Sequence, residues 1–125
     1  MLTGYFERTD TGATLVPTVF RTTTAWERMR GLLGRPPLAI DEGLLIQPCG
    51  SVHTFAMSYP IDLVYLSRSM IVLKIVEALS PWQVSMGFGA AMTLELAAHQ
   101  AAHFGFEVGL VVEWHPIPLP TAGAI

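Results

Sequence analysis

At 125 residues the chain has the length of a single domain, enough to bury a core without staples, and its lone cysteine, Cys49, excludes an internal disulfide framework. A formal net charge of -3 and a single lysine, Lys74, argue against a nucleic-acid partner, because neutralising phosphates takes clustered Lys and Arg. Charged residues are 14% and hydrophobic residues 51% of the chain, so apolar surface should remain after the core is filled, which favours a partner or a homo-oligomer.

Met1 to Asp10 lacks the cationic lead and apolar run of a secretory signal. The longest apolar run free of charge, Ala78 to Leu94, is interrupted by Pro81, Gln83, Gly87 and Gly89, so no membrane span is expected. A free thiol fits a reducing compartment, and a cytoplasmic location is the expectation.

In chain order, Tyr5 to Arg8 and Leu15 to Thr22 are rich in aromatic and β-branched residues, and Thr9-Asp10-Thr11-Gly12 between them reads as a hairpin turn. Pro17 cannot donate to a ladder, so its strand is expected at an edge or broken by a bulge. Thr24-Ala25-Trp26-Glu27 is a capping box opening an amphipathic helix over about residues 25 to 33. Trp26, Met29 and Leu33 fall on one helical face, and Gly34 with Pro36-Pro37 supplies the stop.

Leu44-Leu45-Ile46 reads as a buried strand. Ile61 to Ser67 and Ile71 to Glu77 form a hairpin around Arg68-Ser69-Met70, followed by a turn at Ser80-Pro81-Trp82. Met92 to Leu96 is a strand with Glu95 inside it, a short second helix covers about 99 to 104 before Gly105, and Leu110 to Trp114 is the last strand. Pro116, Pro118 and Pro120 mark a proline-rich tail, 116–125, outside a domain of 1–115. Many short strands with two short helices predict a mainly β fold: a compact sandwich or barrel in which a helix plugs an end or covers an edge.

Five ordered motifs carry a resemblance. Glu27-Arg28-Met29-Arg30-Gly31-Leu32-Leu33-Gly34-Arg35, Glu42 to Ile46, Cys49-Gly50-Ser51-Val52-His53-Thr54-Phe55-Ala56-Met57, Pro60 to Leu66 and Leu94-Glu95-Leu96 together resemble the DUF192 family, over roughly Val19 to Glu113. This is a prokaryotic group of small domains with no established molecular function. The resemblance implies a mainly β, sandwich or jelly-roll-like fold with a helix carrying Glu-Arg-x-x-Gly-Leu, and it implies no reaction or cofactor. Three positions depart from the family pattern: Ser67-Arg68-Ser69-Met70 replaces an Asp-x-Asp-Gly turn, His99 replaces a glycine after the Leu-Glu strand, and Ala56 replaces a glycine before the methionine. The first asks a methionine to fill a left-handed turn position.

Gly43 to Asp62 gathers most of the reactive side chains. If that segment is extended, Cys49, Ser51 and His53 project to one side, and a turn through Pro60 could return Asp62 to them. A thiol beside a histidine oriented by a carboxylate is the arrangement of a cysteine nucleophile. The simpler reading of Cys49 is a packed thiol, and that of His53 is a hydrogen-bonded ring. Asp62 and Glu95, acids within apolar strands, need partners, and Arg28 and Arg35 are the nearest candidates, either as ion pairs or as a shared anion site. His99 and His103 share a helical face but lack a third ligand at tight spacing, so no metal site is expected.

Trp26 reads as core, whereas Trp82 to Phe88 reads as a glycine-loosened loop that closes over a cleft, binds a partner or packs inward. The preferred function is a small-ligand or protein-binding module with a polar pocket around Cys49, His53 and Asp62. Arg28, Arg35, Ser51, Thr54, Met57, Glu95 and Trp82 form its expected binding set. The alternatives are a cysteine-dependent hydrolase or transferase using Cys49 and His53, and a structural accessory domain of a larger assembly.

Overall fold

The computed structural model describes residues 1–118. Its elements are β1 (Leu2–Arg8), β2 (Thr14–Arg21), α1 (Ala25–Arg30), β3 (Glu42–Ile46), β4 (Ser51–His53), β5 (Ile61–Leu66), β6 (Val72–Leu79), β7 (Val84–Met86), β8 (Met92–Ala97), α2 (Gln100–Phe104) and β9 (Val112–Pro116). Seven strands form one mixed sheet in the order β6-β5-β8-β3-β2-β1-β9, with β2 and β3 its parallel pair. Its edges meet at one end, where Ile71 and Val111 bridge and the Val72 and Val112 N–H groups donate to Leu110 O at 2.9 Å and Met70 O at 3.0 Å. The fold is mainly β and barrel-like, as expected. The second sheet that a sandwich would need is reduced to a two-stranded ribbon, β4 with β7.

Strand side chains alternate between faces, and here each face has its own core. Phe6, Val16, Leu45, Val64, Leu94 and Val112 fill the inside of the curled sheet. Leu44, Ile46, Val52, Ile61, Leu63 and Tyr65 form a second cluster on its outer side, covered by the ribbon. Burying each such side chain is worth roughly 1.5 to 3 kcal/mol, so the outer cluster holds the ribbon in place. Gly87 makes that contact closer still: a Cβ there would overlap the Tyr65 ring, whose hydroxyl hydrogen-bonds Ser85 Oγ at 2.9 Å.

Most expected strands are present. Pro17 lies in an interior strand and takes the bulge alternative: β1–β2 pairing shifts register between Gly4↔Val19 and Phe6↔Val16. Val84–Met86, expected in a loose loop, is a paired strand instead, because Val84 and Met86 oppose His53 and Ser51 across the ribbon. Pro116 pairs with Gly4 within β9, and the Ile117 N–H donates to Thr3 O at 2.9 Å, so regular pairing runs past the expected boundary at 115. The tail from 119 onward, with Pro120, lies outside the described residues.

The capping box of α1 forms as read: Thr24 Oγ1 accepts the Glu27 N–H at 3.1 Å, and Glu27 Oε1 accepts the Thr24 N–H at 3.2 Å. Its packing does not. The helix ends at Arg30 rather than 33, and none of its residues is buried. Trp26 is 69% exposed and Met29 76%, which corrects the placement of Trp26 in the core. The helix stops before Leu33 can join that face, and Leu32, in the turn that follows, is the buried residue here.

Ala56, Met70 and His99 take left-handed backbone conformations with φ of 62°, 64° and 69°. These are the three positions where the family resemblance calls for glycine. Each L side chain so placed costs about 1 to 2 kcal/mol.

Candidate functional site

The outer face of the sheet carries a cleft between α1 with its following turn and the β4–β7 ribbon. Its cavity volume is about 80 Å³. On β8, Leu94 and Leu96 point into the inner core, so Glu95 must point outward, flanked by Leu44 and Leu63 on the neighbouring strands. It lines the cleft while only 4% exposed, and its Oε2 has no hydrogen-bond partner. Burial pushes its pKa up to about 7, and no neighbouring cation counters the effect. The Tyr59 hydroxyl, also buried without a partner, is held above its usual pKa first by burial and then by the nearby Glu95 carboxylate.

Cys49, Ser51, His53, Met57 and, from α1, Arg28 line the same cleft. Ser51 and His53 project outward from the ribbon, while Val52 between them packs inward. The Cys49 thiol donates to Ser51 O at 3.1 Å. His53 Nδ1 accepts the Phe55 N–H at 3.3 Å, which assigns the ring proton to Nε2. The ring stacks on Phe55 at 4.9 Å, and Phe55 stacks on Trp82 at 6.0 Å, so aromatic rings run along the mouth. Arg28 has no side-chain hydrogen bond or ion pair among the described residues, whereas Arg30 donates to Leu33 O at 3.0 Å and Gly34 O at 2.9 Å.

Other expected site residues lie elsewhere. Asp62 does not reach Cys49 and His53, which corrects the proposed triad: it sits one residue out of phase with the outward-facing Ile61 and Leu63. Fully buried, it accepts the N–H groups of Ala78 at 2.8 Å, His99 at 2.9 Å and Ala101 at 2.9 Å. Neither Asp62 nor Glu95 is ion-paired with an arginine, and Arg35 instead donates to Gly31 O at 2.9 Å beside a separate apolar hollow. Thr54 does not line the cleft; fully buried, it ties two loops together through Ser80 O at 2.7 Å and the Gln83 N–H at 3.0 Å. Trp82 is 66% exposed and reaches the mouth only through Phe55.

Tyr59 and Phe55 were not singled out by sequence. Phe55 carried a usable signal, since it follows His53 by two positions and could share its side of an extended segment. Tyr59 carried none, because its relation to Glu95 joins a turn to a distant strand. Among the described residues, His99 and His103 gain no third metal ligand; the group of three that does converge, Glu7, Glu113 and His115, joins paired strands β1 and β9 at the opposite side of the sheet order.

A curled mixed sheet with a ribbon over one face and a buried acid beneath it defines a small β domain with a lateral cleft. The chain belongs to the DUF192 family, described as Uncharacterized ACR, whose model matches residues 7–114. It is similar in fold to a candidate transcription regulator from Sinorhizobium meliloti 1021, with 21% identity, a TM-score of 0.75 and coverage of 90% of this chain and 92% of that one. A protein of unknown function from Novosphingobium aromaticivorans DSM 12444 is similar too, at 21% identity, a TM-score of 0.69 and coverage of 90% and 84%. No curated protein matches the chain. Among the described residues no helix is long and apolar enough to cross a membrane.

Proposed function

We propose that the protein is a small-ligand-binding module whose site is the cleft lined by Arg28, Cys49, Ser51, His53, Met57 and Glu95. One observation carries this: Glu95 places an unpartnered carboxyl oxygen, buried from solvent, in a cavity that also holds an uncommitted arginine. Leaving a buried polar atom unpaired costs on the order of 1 to 3 kcal/mol, a penalty that a bound ligand would offset. The cavity volume of about 80 Å³ suits a small head group and falls well short of the roughly 300 to 1,000 Å³ of a drug-sized site.

The hydrolase alternative has less support. Its thiol is spent on a backbone carbonyl, His53 Nδ1 on a backbone N–H, and Asp62 on the other face of β5. The regulator role attached to the S. meliloti protein is not carried over, since a likeness at 21% identity extends to the fold alone.

Cys49 provides the test, being the chain's single cysteine and a lining residue. Maleimide labelling of the native protein is followed in the presence of a panel of small polar fragments. Occupancy of the cleft should slow labelling by about tenfold or more for at least one fragment. Labelling that no fragment slows would overturn the proposal.

A further inference from the structure

We propose that the cleft is built for a small zwitterion, its ammonium group on Glu95 at the floor and its carboxylate on Arg28 at the lip. This rests on the cleft being a ligand site, and it follows from what each charged or titratable group facing Glu95 already does. From the α1 side, Arg30 is committed to two carbonyls and Arg28 to none. From the segment that carries β4, the Cys49 thiol is bonded to Ser51 O, and His53 holds a backbone N–H on Nδ1. From β5, the Tyr65 hydroxyl is bonded to Ser85, and from the turn before it the Tyr59 hydroxyl is free. Among the described residues no cation pairs with Glu95, so neutralisation must come from a proton or from a ligand.

A primary ammonium has three donors, and Glu95 Oε2 is an unpartnered acceptor in the cleft. The Arg28 guanidinium, a planar fork of donors, matches a carboxylate. A ligand bearing only a carboxylate would meet the Glu95 charge, and one bearing only an ammonium would leave Arg28 unused. A molecule with both groups answers both. Leu32, Ile46, Val52 and Met57 give the space between an apolar lining that suits a short aliphatic spacer. With Glu95 titrating at about 7, binding should tighten as pH rises through that value and then level off.

The test compares glycine, β-alanine and 4-aminobutyrate with butyrate and butylamine by calorimetry on the full chain, on Glu95→Gln and on Arg28→Gln. Thermal melts verify that each variant folds. At least one zwitterion should bind about tenfold more tightly than both singly charged analogues. Glu95→Gln should reduce it to the affinity of butyrate, and Arg28→Gln to that of butylamine. Equal binding of a singly charged analogue, indifference to both substitutions, or no zwitterion binding at all overturns the proposal. Cys49 protection by fragments other than zwitterions would then leave the cleft standing as a ligand site, while protection by none would remove both conclusions.

Discussion

The His99 N–H donates to Asp62 Oδ1 at 2.9 Å, fastening the left-handed residue before α2 to the side chain of a sheet strand. With Ala78 and Ala101 donating to the same carboxylate, Asp62 joins β5, β6 and α2. The acid that sequence placed beside a nucleophile is a structural clamp.

Asp62→Asn should therefore destabilise the protein by roughly 1 to 3 kcal/mol, because the amide oxygen can keep Ala78 and His99 while the NH₂ would face the buried Ala101 N–H. The same substitution should leave the pH dependence of Cys49 alkylation unchanged in the folded protein. Urea unfolding and alkylation rates measure the two effects, and a displaced alkylation curve would restore the link between Asp62 and the thiol.

Glu95 imposes a pH dependence on stability. Its pKa rises from 4.5 in the unfolded chain to about 7 on folding. Below 4.5 it is protonated in both states and its contribution is fully present; between 4.5 and 7 the unfolded chain loses the proton first, and stability falls. The loss, complete above about 7, is on the order of 3 kcal/mol. Glu27 acts in the opposite sense, held at about 2 by the Met1 ammonium and the Thr23 backbone N–H, so its contribution disappears only below this window. Glu95→Gln should flatten the profile from 4.5 to 7 and raise the melting temperature at pH 8. A profile identical to the native one would show that Glu95 is not held protonated.

Ala56 is exposed at φ 62°, so its replacement by glycine removes left-handed strain without losing packing. The added freedom of the unfolded chain cancels part of the gain, leaving Ala56→Gly more stable by roughly 0.5 to 1 kcal/mol. Denaturation midpoints would reveal it. Met70 is a poorer choice because its side chain packs on the inner core.

Thr24→Ala should cost about 1 kcal/mol and speed amide exchange through α1. That helix buries none of its residues, so its cap matters more than its face. Unchanged exchange at Glu27 to Arg30 would contradict this.

Gly87→Ala should cost roughly 1 to 3 kcal/mol, because the new methyl would have to displace the Tyr65 ring on which the ribbon rests. A changed near-ultraviolet aromatic signal would report the displacement; an unperturbed signal with native stability would show that the ribbon shifts freely.

Local features of this protein were legible in its residues. The Thr24–Glu27 cap, the hairpins and the strand cores follow from short-range hydrogen bonding and from alternation with a period of two. That same alternation already separated Asp62 from its odd-numbered neighbours, but only the tertiary structure decided what lies on each side of β5. The burial of Leu32 rather than Trp26 depended on where α1 stops against the sheet. Glu95 was suspicious as an acid within an apolar strand, and pairing with arginine was the reasonable expectation. Its isolation, its nearness to Tyr59 and its place beneath the β4–β7 ribbon arise from elements distant in sequence. Sequence spacing determines which side chains share a strand face; which faces meet, and which charges are left without a partner, is decided only when the sheet curls and the ribbon packs over it.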